Sequence, residues 1–295
     1  MAGQPVVVGV DGSPAAARAL RWAAHEAVRR AAPLLIVHTC VLIPAAVPHA
    51  TALGGYRNAV IEDSRSLLAD AANQAREAAA GVVVDTALTS GSAAEQLIAR
   101  SVAADLVVIG TRGLGGISSL VAGSVAVAVA AHGRCPVVVV RGAGTDDEPR
   151  QHRPVVVGFD GSSTSKAAIP FAFQAAAARG VAVVAVHVWM DFTIGSVSAA
   201  AALTHAWESA QAEQMALLST ELAEYRTRFP AVPVEQVILQ DRPAPTLLRY
   251  AENAQLIVVG SRGRGGFRGL LLGSTSQALI HHAACPVAVV PPVWR

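Results

Sequence analysis

The stretch Gly260-Ser261-Arg262-Gly263-Arg264-Gly265-Gly266-Phe267-Arg268-Gly269-Leu270-Leu271-Leu272-Gly273-Ser274 decides the fold of this chain. It follows the apolar run Leu256–Val259, which predicts a buried strand, and it precedes Thr275–Ile280, which predicts a helix. Glycines let a backbone take positive φ and approach a ligand closely. The helix that follows offers unpaired N–H groups at the positive end of its dipole. The stretch therefore predicts a strand-to-helix loop that binds an anion, most naturally a phosphate.

The same pattern occurs 150 residues earlier in the chain. Leu106–Ile109 leads into Gly110-Thr111-Arg112-Gly113, and Gly123-Ser124 follows after nine residues, as Gly273-Ser274 does in the second copy. One glycine-rich loop is a weak signal, but two copies with matched spacing are a strong one. A chain of 295 residues accommodates two domains, so the repeat predicts two. The alternative, that both loops are plain strand-to-helix turns, stays open.

Each copy begins with a second short motif. Pro5–Val10 and Pro154–Phe159 are apolar runs that predict strands, and Asp-Gly-Ser follows each of them. Ser13 is a favourable N-cap and Pro14 suits the first helical position, so a helix is expected to begin there. From there, apolar runs alternate with helical patterns to the end of each half. We predict an α/β fold of two tandem domains, each a doubly wound, five-stranded parallel sheet.

The polar segment 143–153 predicts a linker between domains at 1–142 and 154–295. In open parallel sheets, ligands bind at the carboxyl ends of the strands, where the strand order reverses. Residues that follow strands one, two and four are therefore the candidates. They are Asp11, Thr39 and the loop at Gly110 in the first half, and Asp160, Val188 and the loop at Gly260 in the second.

The composition argues against several other classes of protein. The formal net charge is +2 and aromatic residues make up 4% of the chain, which disfavours a nucleic-acid groove. Lys166 is the only lysine, and no P-loop motif occurs. The longest apolar run is too short to span a membrane, and we expect no signal peptide. Three cysteines without a short spacing favour reduced thiols, so we expect a cytoplasmic location.

The pairing of these motifs resembles the universal stress protein family. Val-Gly-x-Asp-Gly-Ser ends the first strand of each half, at Val8–Ser13 and Val157–Ser162, and Gly-x2-Gly-x9-Gly-Ser follows the fourth. The resemblance covers nearly the whole chain and is closest to the tandem, two-domain, ATP-binding branch of mycobacteria and related actinobacteria. It implies the strand order 3-2-1-4-5 and an adenine nucleotide α-hydrolase-like fold in each half. It also implies ATP, with or without Mg²⁺, as the ligand and a homodimer as the assembly.

The same resemblance implies one nucleotide site in each half. Asp11 and Asp160 are expected near the ribose, and backbone groups of Thr39 and Val188 are expected to meet the adenine. Asp191, which follows the second strand of the second half, is a candidate for a ribose hydroxyl, although a purely solvated role stays open for it.

Glycines and loop residues complete the two expected sites. Gly9 and Gly158 are expected to leave room for the ligand against the first strand. The phosphates are expected at Gly110, Thr111, Arg112, Gly113, Gly115, Gly116, Gly123, Ser124 and Val125 in the first half, and at Gly260, Ser261, Arg262, Gly263, Arg264, Gly265, Gly266, Gly273, Ser274 and Thr275 in the second.

Simpler structural roles stay open for several of these side chains. Asp11 and Asp160 could bond local N–H groups where a helix begins. Ser124 and Ser274 could be ordinary N-caps. His38 and its equivalent in the second half are expected to be structural, because no neighbouring acid or metal-ligand pattern accompanies them.

We predict a nucleotide-regulated stress-response protein and not a fast enzyme, because no lysine accompanies the phosphates and no general base stands out. A slow ATPase of the adenine nucleotide α-hydrolase class is the second hypothesis. It is disfavoured because Val10-Asp11-Gly12-Ser13 does not match the Ser-Gly-Gly-x-Asp-Ser loop of those enzymes. A nucleotide-free interaction scaffold is the third. Arg262, Arg264 and Arg268 outnumber Arg112 in the equivalent loop, which predicts tighter binding in the second half.

Overall fold

A computed structural model describes residues 3–40, 54–111, 123–141, 152–189, 200–264 and 271–292. At residues 54 and 200–210 only the backbone is described. The chain divides into two compact units, Met1–Gly144 and Thr145–Arg295, and each is considered by itself. The predicted linker falls almost entirely outside the described residues.

The first unit alternates five strands with four helices among its described residues. They are β1 (Val6–Val10), α1 (Pro14–Arg29), β2 (Leu34–Cys40), α2 (Gly54–Ala78), β3 (Val84–Ser90), α3 (Ala93–Arg100), β4 (Leu106–Gly110), α4 (Ser124–His132) and β5 (Val137–Val140). All pairings are parallel: β1 lies between β2 and β4, β3 pairs with β2, and β5 pairs with β4. The order is therefore β3-β2-β1-β4-β5, as the resemblance implies.

The second unit repeats this arrangement. Its elements are β6 (Val155–Phe159), α5 (Ser163–Ala177), β7 (Val183–Trp189), α6 (Ala200–Arg228), β8 (Val234–Gln240), α7 (Pro243–Glu252), β9 (Leu256–Gly260), α8 (Ser274–His282) and β10 (Val287–Val290). Parallel pairing gives the order β8-β7-β6-β9-β10. The predicted α/β class with a parallel sheet in each half is confirmed.

Burial explains why the valine-rich runs form the inner strands. Side chains of β1, β4, β5, β6, β9 and β10 are almost all buried, because helices cover both faces of a parallel sheet. The outer strand β3 is half exposed and carries polar residues such as Asp85 and Thr86. Ser13 caps α1 by accepting a hydrogen bond from the Ala16 N–H at 3.1 Å, as the sequence predicts.

Several element boundaries differ from what the sequence pattern predicts. The segment 42–55, which contains two prolines and a pair of glycines, predicts a loop, but α2 begins inside it at Gly54. The pattern after Ser92 predicts a helix through Ala103, but α3 ends at Arg100. The apolar run from Val82 predicts the start of the third strand, but the strand begins at Val84, because β3 pairs with β2 from Leu34 onward. No helix among the described residues is both long and apolar enough to cross a membrane.

Candidate functional site

A cavity of about 670 Å³ lies at the carboxyl ends of β6, β7 and β9 in the second unit. This is the position at which open parallel sheets bind ligands. Ten of the predicted residues line it: Gly158, Asp160, Val188, Gly260, Arg262, Gly263, Arg264, Gly273, Ser274 and Thr275. The structure thus brings together residues that are more than 100 positions apart in the sequence.

Three predicted residues of the second half lie outside the described residues, and a fourth, Ser261, is not part of the cavity lining. Asp191, Gly265 and Gly266 are the three that are not described. Ser261 is buried, its N–H donates to the Val290 carbonyl at 2.8 Å, and its carbonyl accepts from the Gly273 N–H at 2.8 Å. Both backbone groups of Ser261 are therefore already hydrogen-bonded within the protein.

Asp160 connects the end of β6 to the glycine loop after β9. Its Oδ1 accepts from the Ser162 N–H at 2.9 Å, and its Oδ2 accepts from the Arg264 N–H at 3.0 Å. Burial raises the pKa of the Asp160 carboxyl, but hydrogen bonds from Ser162, Ser165 and the Arg264 amide outweigh burial and hold that pKa below its ordinary value. The expected bond to a local N–H group is present, and the contact with Arg264 is additional.

Glycines allow the loop to lie this close to its neighbours. A Cβ atom added at Gly263 would lie 2.5 Å from Asp160 Oδ2. Gly161 has φ +76°, and an added Cβ there would lie 2.0 Å from Arg264 Nη2, so the guanidinium lies directly against this turn. A Cβ at Gly260 would lie 2.6 Å from the Thr164 carbonyl carbon, which gives Gly260 a packing role against α5.

The start of α8 faces the same cavity with its amides uncapped. The N-cap is Gly273, which has no side chain to accept from the first-turn N–H groups, and Ser274 is the first helical residue. The alternative that Ser274 is the N-cap is therefore wrong, and the same holds for Ser124, because Gly123 occupies the N-cap position of α4 without a side chain that could accept. First-turn amides have no partner within their own helix, so these two helix starts can receive an anion.

Apolar side chains also line the cavity, and the sequence analysis missed them. Phe159, Trp189, Leu247 and Leu272 line it, together with Val188. In the sequence these residues are indistinguishable from ordinary core residues. The signal that could have found Trp189 is its place at the end of β7, directly after the predicted Val188.

The two matched histidines bond to the end of the first strand in each unit. His187 is buried, and its Nδ1 lies 2.8 Å from the Phe159 carbonyl oxygen, while its Nε2 lies 2.8 Å from Gln214 Oε1. His38 Nδ1 lies 2.8 Å from the Val10 carbonyl oxygen in the first unit. A backbone carbonyl oxygen only accepts, so Nδ1 donates in both histidines. The side-chain amide of Gln214, whose oxygen and nitrogen positions are interchangeable, then donates its N–H to His187 Nε2. The structural role predicted for them is consistent with this geometry.

The residues that follow β1 and β2 in the first unit repeat part of the arrangement in the second. Asp11 Oδ1 accepts from the Ser13 N–H at 3.0 Å. Thr39 Oγ1 lies 3.1 Å from Thr89 Oγ1 across β2 and β3. An added Cβ at Gly9 would lie 2.9 Å from Leu97 Cδ1, so a side chain of α3 already occupies the space beside this glycine.

The glycine-rich loop after β4 in the first unit is described only at its two ends. Gly110 lies close to α1, since an added Cβ would be 2.7 Å from the Ala15 carbonyl carbon. The buried Thr111 accepts from the Gly123 N–H at 2.6 Å, as Ser261 accepts from Gly273. Ser124 and Val125 begin α4. Arg112, Gly113, Gly115 and Gly116 lie outside the described residues.

A second cavity lies between α1 and α2 in the first unit. It measures about 430 Å³, and Ser13, Asp63, Leu67 and Asp70 are among its lining residues. It contains none of the residues predicted to bind nucleotide. In the part of the chain that the structure describes, no three or more His, Cys, Asp or Glu side chains cluster in a way that could hold a metal ion.

Comparison with known proteins gives a consistent family assignment. The model of the universal stress protein family matches residues 3–141 and again residues 151–291. A universal stress protein of Mycolicibacterium smegmatis is 38% identical over 296 residues and covers 97% of each chain. The universal stress protein Rv2005c of Mycobacterium tuberculosis is 36% identical over 290 residues and covers 96% of each chain.

Solved structures show the same fold. A universal stress protein from Archaeoglobus fulgidus aligns with a TM-score of 0.70 at 19% identity, covering 99% of this chain and 100% of its own. At that identity the likeness is one of fold. A universal stress protein solved in complex with cAMP matches 48% of this chain and 99% of its own, at 29% identity and a TM-score of 0.38.

Proposed function

This chain belongs to the universal stress protein family, and we propose that it is an ATP-binding member that acts as a nucleotide-regulated stress-response protein. The observation that carries the proposal is the cavity of the second unit. An uncapped helix start, a glycine-lined loop with two arginines and a carboxylate meet in it. Its volume of about 670 Å³ falls within the range of small-molecule sites, roughly 300–1,000 Å³.

In this proposal the phosphates lie between the glycine loop and the start of α8. The amides of Ser274 and Thr275 point out of the first helical turn, where the helix dipole favours negative charge. Arg262 and Arg264 also line the cavity and supply two guanidinium groups, which bind phosphate oxygens through charge-assisted hydrogen bonds. We propose the predicted residues Gly260, Gly263 and Gly273 as the close-approach positions of this loop.

In this proposal the nucleoside lies against the apolar residues of the cavity lining. Phe159, Trp189 and Leu247 offer an apolar surface for a base, and the backbone of Val188 lies at the end of β7 beside them. Asp160 lines the cavity beside these residues, and in this proposal its carboxylate also accepts a hydrogen bond from a ribose hydroxyl.

We propose a second, weaker site in the first unit. Asp11, Gly9, Thr39 and the loop from Gly110 to Val125 occupy the equivalent positions of the sequence, and Gly123 leaves the start of α4 uncapped as Gly273 does for α8. The cavity between α1 and α2 of this unit contains none of these residues. Fewer arginines in the loop support weaker phosphate binding.

ATP acts in this proposal as a regulatory ligand, and Mg²⁺ enters with its phosphates. No lysine lies in the described lining of the cavity, which leaves the two arginines as its cations. A slow ATPase is the alternative, and steady-state phosphate release from Mg–ATP separates the two. Turnover well below one per second supports the regulatory role, whereas a rate of about one per second or more lies in the range of enzymes and supports the ATPase.

Three further features belong to the proposal. We propose universal stress protein domains at residues 1–142 and 154–295 with a linker at 143–153. We propose a homodimer, which light scattering coupled to size-exclusion chromatography tests directly. We propose a cytoplasmic location, which the three buried, free cysteines favour.

The decisive experiment is to purify the chain without added nucleotide, denature it and identify the released ligand by ion-exchange chromatography. Retained adenine nucleotide, together with ATP binding by calorimetry, supports the proposal. Gly263→Ala should weaken ATP binding, because its Cβ would displace the Asp160 carboxylate. Gly55→Ala is the matched control, since an added Cβ there meets nothing within 4 Å. No retained nucleotide and no thermal shift with Mg–ATP would leave the scaffold hypothesis standing.

A further inference from the structure

Three polar contacts join the glycine loop of the second unit to the elements around β6, and the longest of them runs from Ser162 Oγ to the carbonyl oxygen of Arg262 at 3.5 Å. The backbone N–H of Arg264 donates to Asp160 Oδ2 at 3.0 Å. The hydroxyl of Thr164 donates to the carbonyl oxygen of Arg262. These two contacts form what we call the loop tether: they hold both ends of the segment Arg262–Arg264, one through an amide and one through a carbonyl.

The anchoring side of the loop tether is itself fixed. The Ser162 N–H donates to Asp160 Oδ1 at 2.9 Å. The N–H of Asp160 donates to Ser165 Oγ at 3.3 Å, and Ser165 Oγ donates to the Ser162 carbonyl at 3.0 Å. Thr164 is buried in the first turn of α5. Asp160 and Thr164 therefore have little conformational freedom, and the segment Arg262–Arg264 is bonded to residues that are themselves well fixed.

The sequence of the loop is suited to this contact. An added Cβ at Gly263 would lie 2.5 Å from Asp160 Oδ2, so any larger residue between Arg262 and Arg264 would push the loop off the carboxylate. The position equivalent to Thr164 in the first unit is Ala15, which has no hydroxyl. This contact of the loop tether is therefore specific to the second unit.

We infer that Asp160 and Thr164 are positioning residues that hold the Arg262–Arg264 segment where it meets the phosphates of the bound nucleotide. The inference rests on the proposed function. Asp160 lines the cavity and also serves as the candidate ribose ligand, but Thr164 is not part of the cavity lining. Thr164 therefore does not contact a ligand in the cavity directly, which makes it the cleaner residue to test.

The experiment compares ATP with adenosine, which lacks the phosphates. Binding is followed by NMR at the Ser274 backbone amide, which reports on the second unit alone. Thr164→Val and Asp160→Asn are the test variants. Thr246→Val and Asp241→Asn are matched controls, because Thr246 Oγ1 donates to Asp241 Oδ2 at 2.7 Å in the same unit but neither residue lines the cavity.

We expect Thr164→Val to weaken ATP binding roughly tenfold, the size of one lost hydrogen bond of this kind, and to leave adenosine binding within about twofold. Asp160→Asn should weaken both ligands but ATP by the larger factor. In the ligand-free chain, hydrogen exchange at the Arg264 amide should become faster in Asp160→Asn and stay unchanged in Asp241→Asn.

Two results separate failure of the inference from failure of the proposed function. If the unsubstituted chain binds ATP but Thr164→Val weakens ATP and adenosine equally, or neither, the loop tether does not position the phosphate segment. The inference is also wrong if the Arg264 amide exchanges its hydrogen equally fast in the unsubstituted chain and in Asp160→Asn. If the unsubstituted chain binds no nucleotide at all, the proposed function and the inference both fall.

Discussion

His187 Nδ1 bonds the carbonyl oxygen of Phe159 at 2.8 Å, immediately before the carboxylate of Asp160. In the first unit, His38 Nδ1 lies 2.8 Å from the carbonyl oxygen of Val10, the residue that precedes Asp11. The two members of each pair also face each other in the sheet register. A strand-end carbonyl that would otherwise lose its partner is thus satisfied by a side chain of the neighbouring strand.

His187→Leu should lower the free energy of unfolding by about 1–3 kcal/mol, because it leaves the buried Phe159 carbonyl without a donor. His187→Asn should recover part of that loss, since its amide N–H can reach the same oxygen. Urea unfolding measures both. His38→Leu is the comparison, and we expect a smaller loss because His38 is only partly buried. Equal stability of all three variants would contradict a structural role for these histidines.

Asp160 should make stability depend on pH in a defined direction. Its folded-state pKa lies below the ordinary aspartate value of about 3.9, so the unfolded chain binds this proton more readily than the folded chain. The stabilisation is fully present above that value and is lost as the pH falls through the lower folded-state pKa. The difference in unfolding free energy between the unsubstituted chain and Asp160→Asn should be constant from pH 7 to 5 and shrink below about pH 4.

Urea unfolding at these pH values is the measurement, and Asp241→Asn is the control. The Asp241 pKa is also lowered, first by the Thr246 hydroxyl, but this carboxylate is exposed at the surface. We expect the pH-dependent difference to be smaller for Asp241→Asn than for Asp160→Asn. The reverse ranking would argue against the Asp160–Arg264 contact.

Gly110→Ala and Gly260→Ala should destabilise the fold itself. Added Cβ atoms would lie 2.7 Å from the Ala15 carbonyl carbon and 2.6 Å from the Thr164 carbonyl carbon, so α1 and α5 would have to move away from β4 and β9. Such overpacking costs about 1–3 kcal/mol. Thermal unfolding should separate these variants from Gly263→Ala, which we expect to keep most of its stability. A stable Gly260→Ala variant would mean that the helix can shift without cost.

The cysteines should be unreactive in the folded chain. Burial raises the pKa of the Cys135 thiol to about 12, and Cys40 and Cys285 are also buried and free. Since the thiolate is the nucleophile, dithionitrobenzoate at pH 8 should react slowly with the native chain. It should react rapidly with all three thiols once guanidinium has unfolded the chain. Fast reaction of a native thiol would place that cysteine in an open environment.

The hydrophobic pattern was sufficient to predict the fold. Runs such as Val6–Val8 and Leu256–Val259 are apolar at every position, as strands buried on both faces are, and Ser13-Pro14 marks a helix start. The start of α2 was missed because Gly54 and Gly55 favour turns in isolation, whereas the structure continues the helix through them. Register decided the start of β3, and register depends on a partner strand that local sequence does not specify.

The candidate site was predictable in outline but not in its contacts. Matched motifs predicted that Asp160 and the glycine loop lie together, since strands one and four are neighbours in the implied order. The sequence could not show that the backbone amide of Arg264, and not its guanidinium, bonds the carboxylate. It also could not distinguish Trp189 and Leu247 from core residues, because both belong to apolar patterns and only their three-dimensional position makes them cavity walls.

The linkage of two such units in one polypeptide has a consequence for how the protein evolves. In an assembly of identical single-unit chains, every mutation of the glycine loop appears in all copies of the site at once. Here Thr164 and Arg264 occur in one unit, while Ala15 and Leu114 occupy the equivalent positions of the other. Selection therefore acts on each loop separately, and one loop can keep its sequence while its duplicate changes.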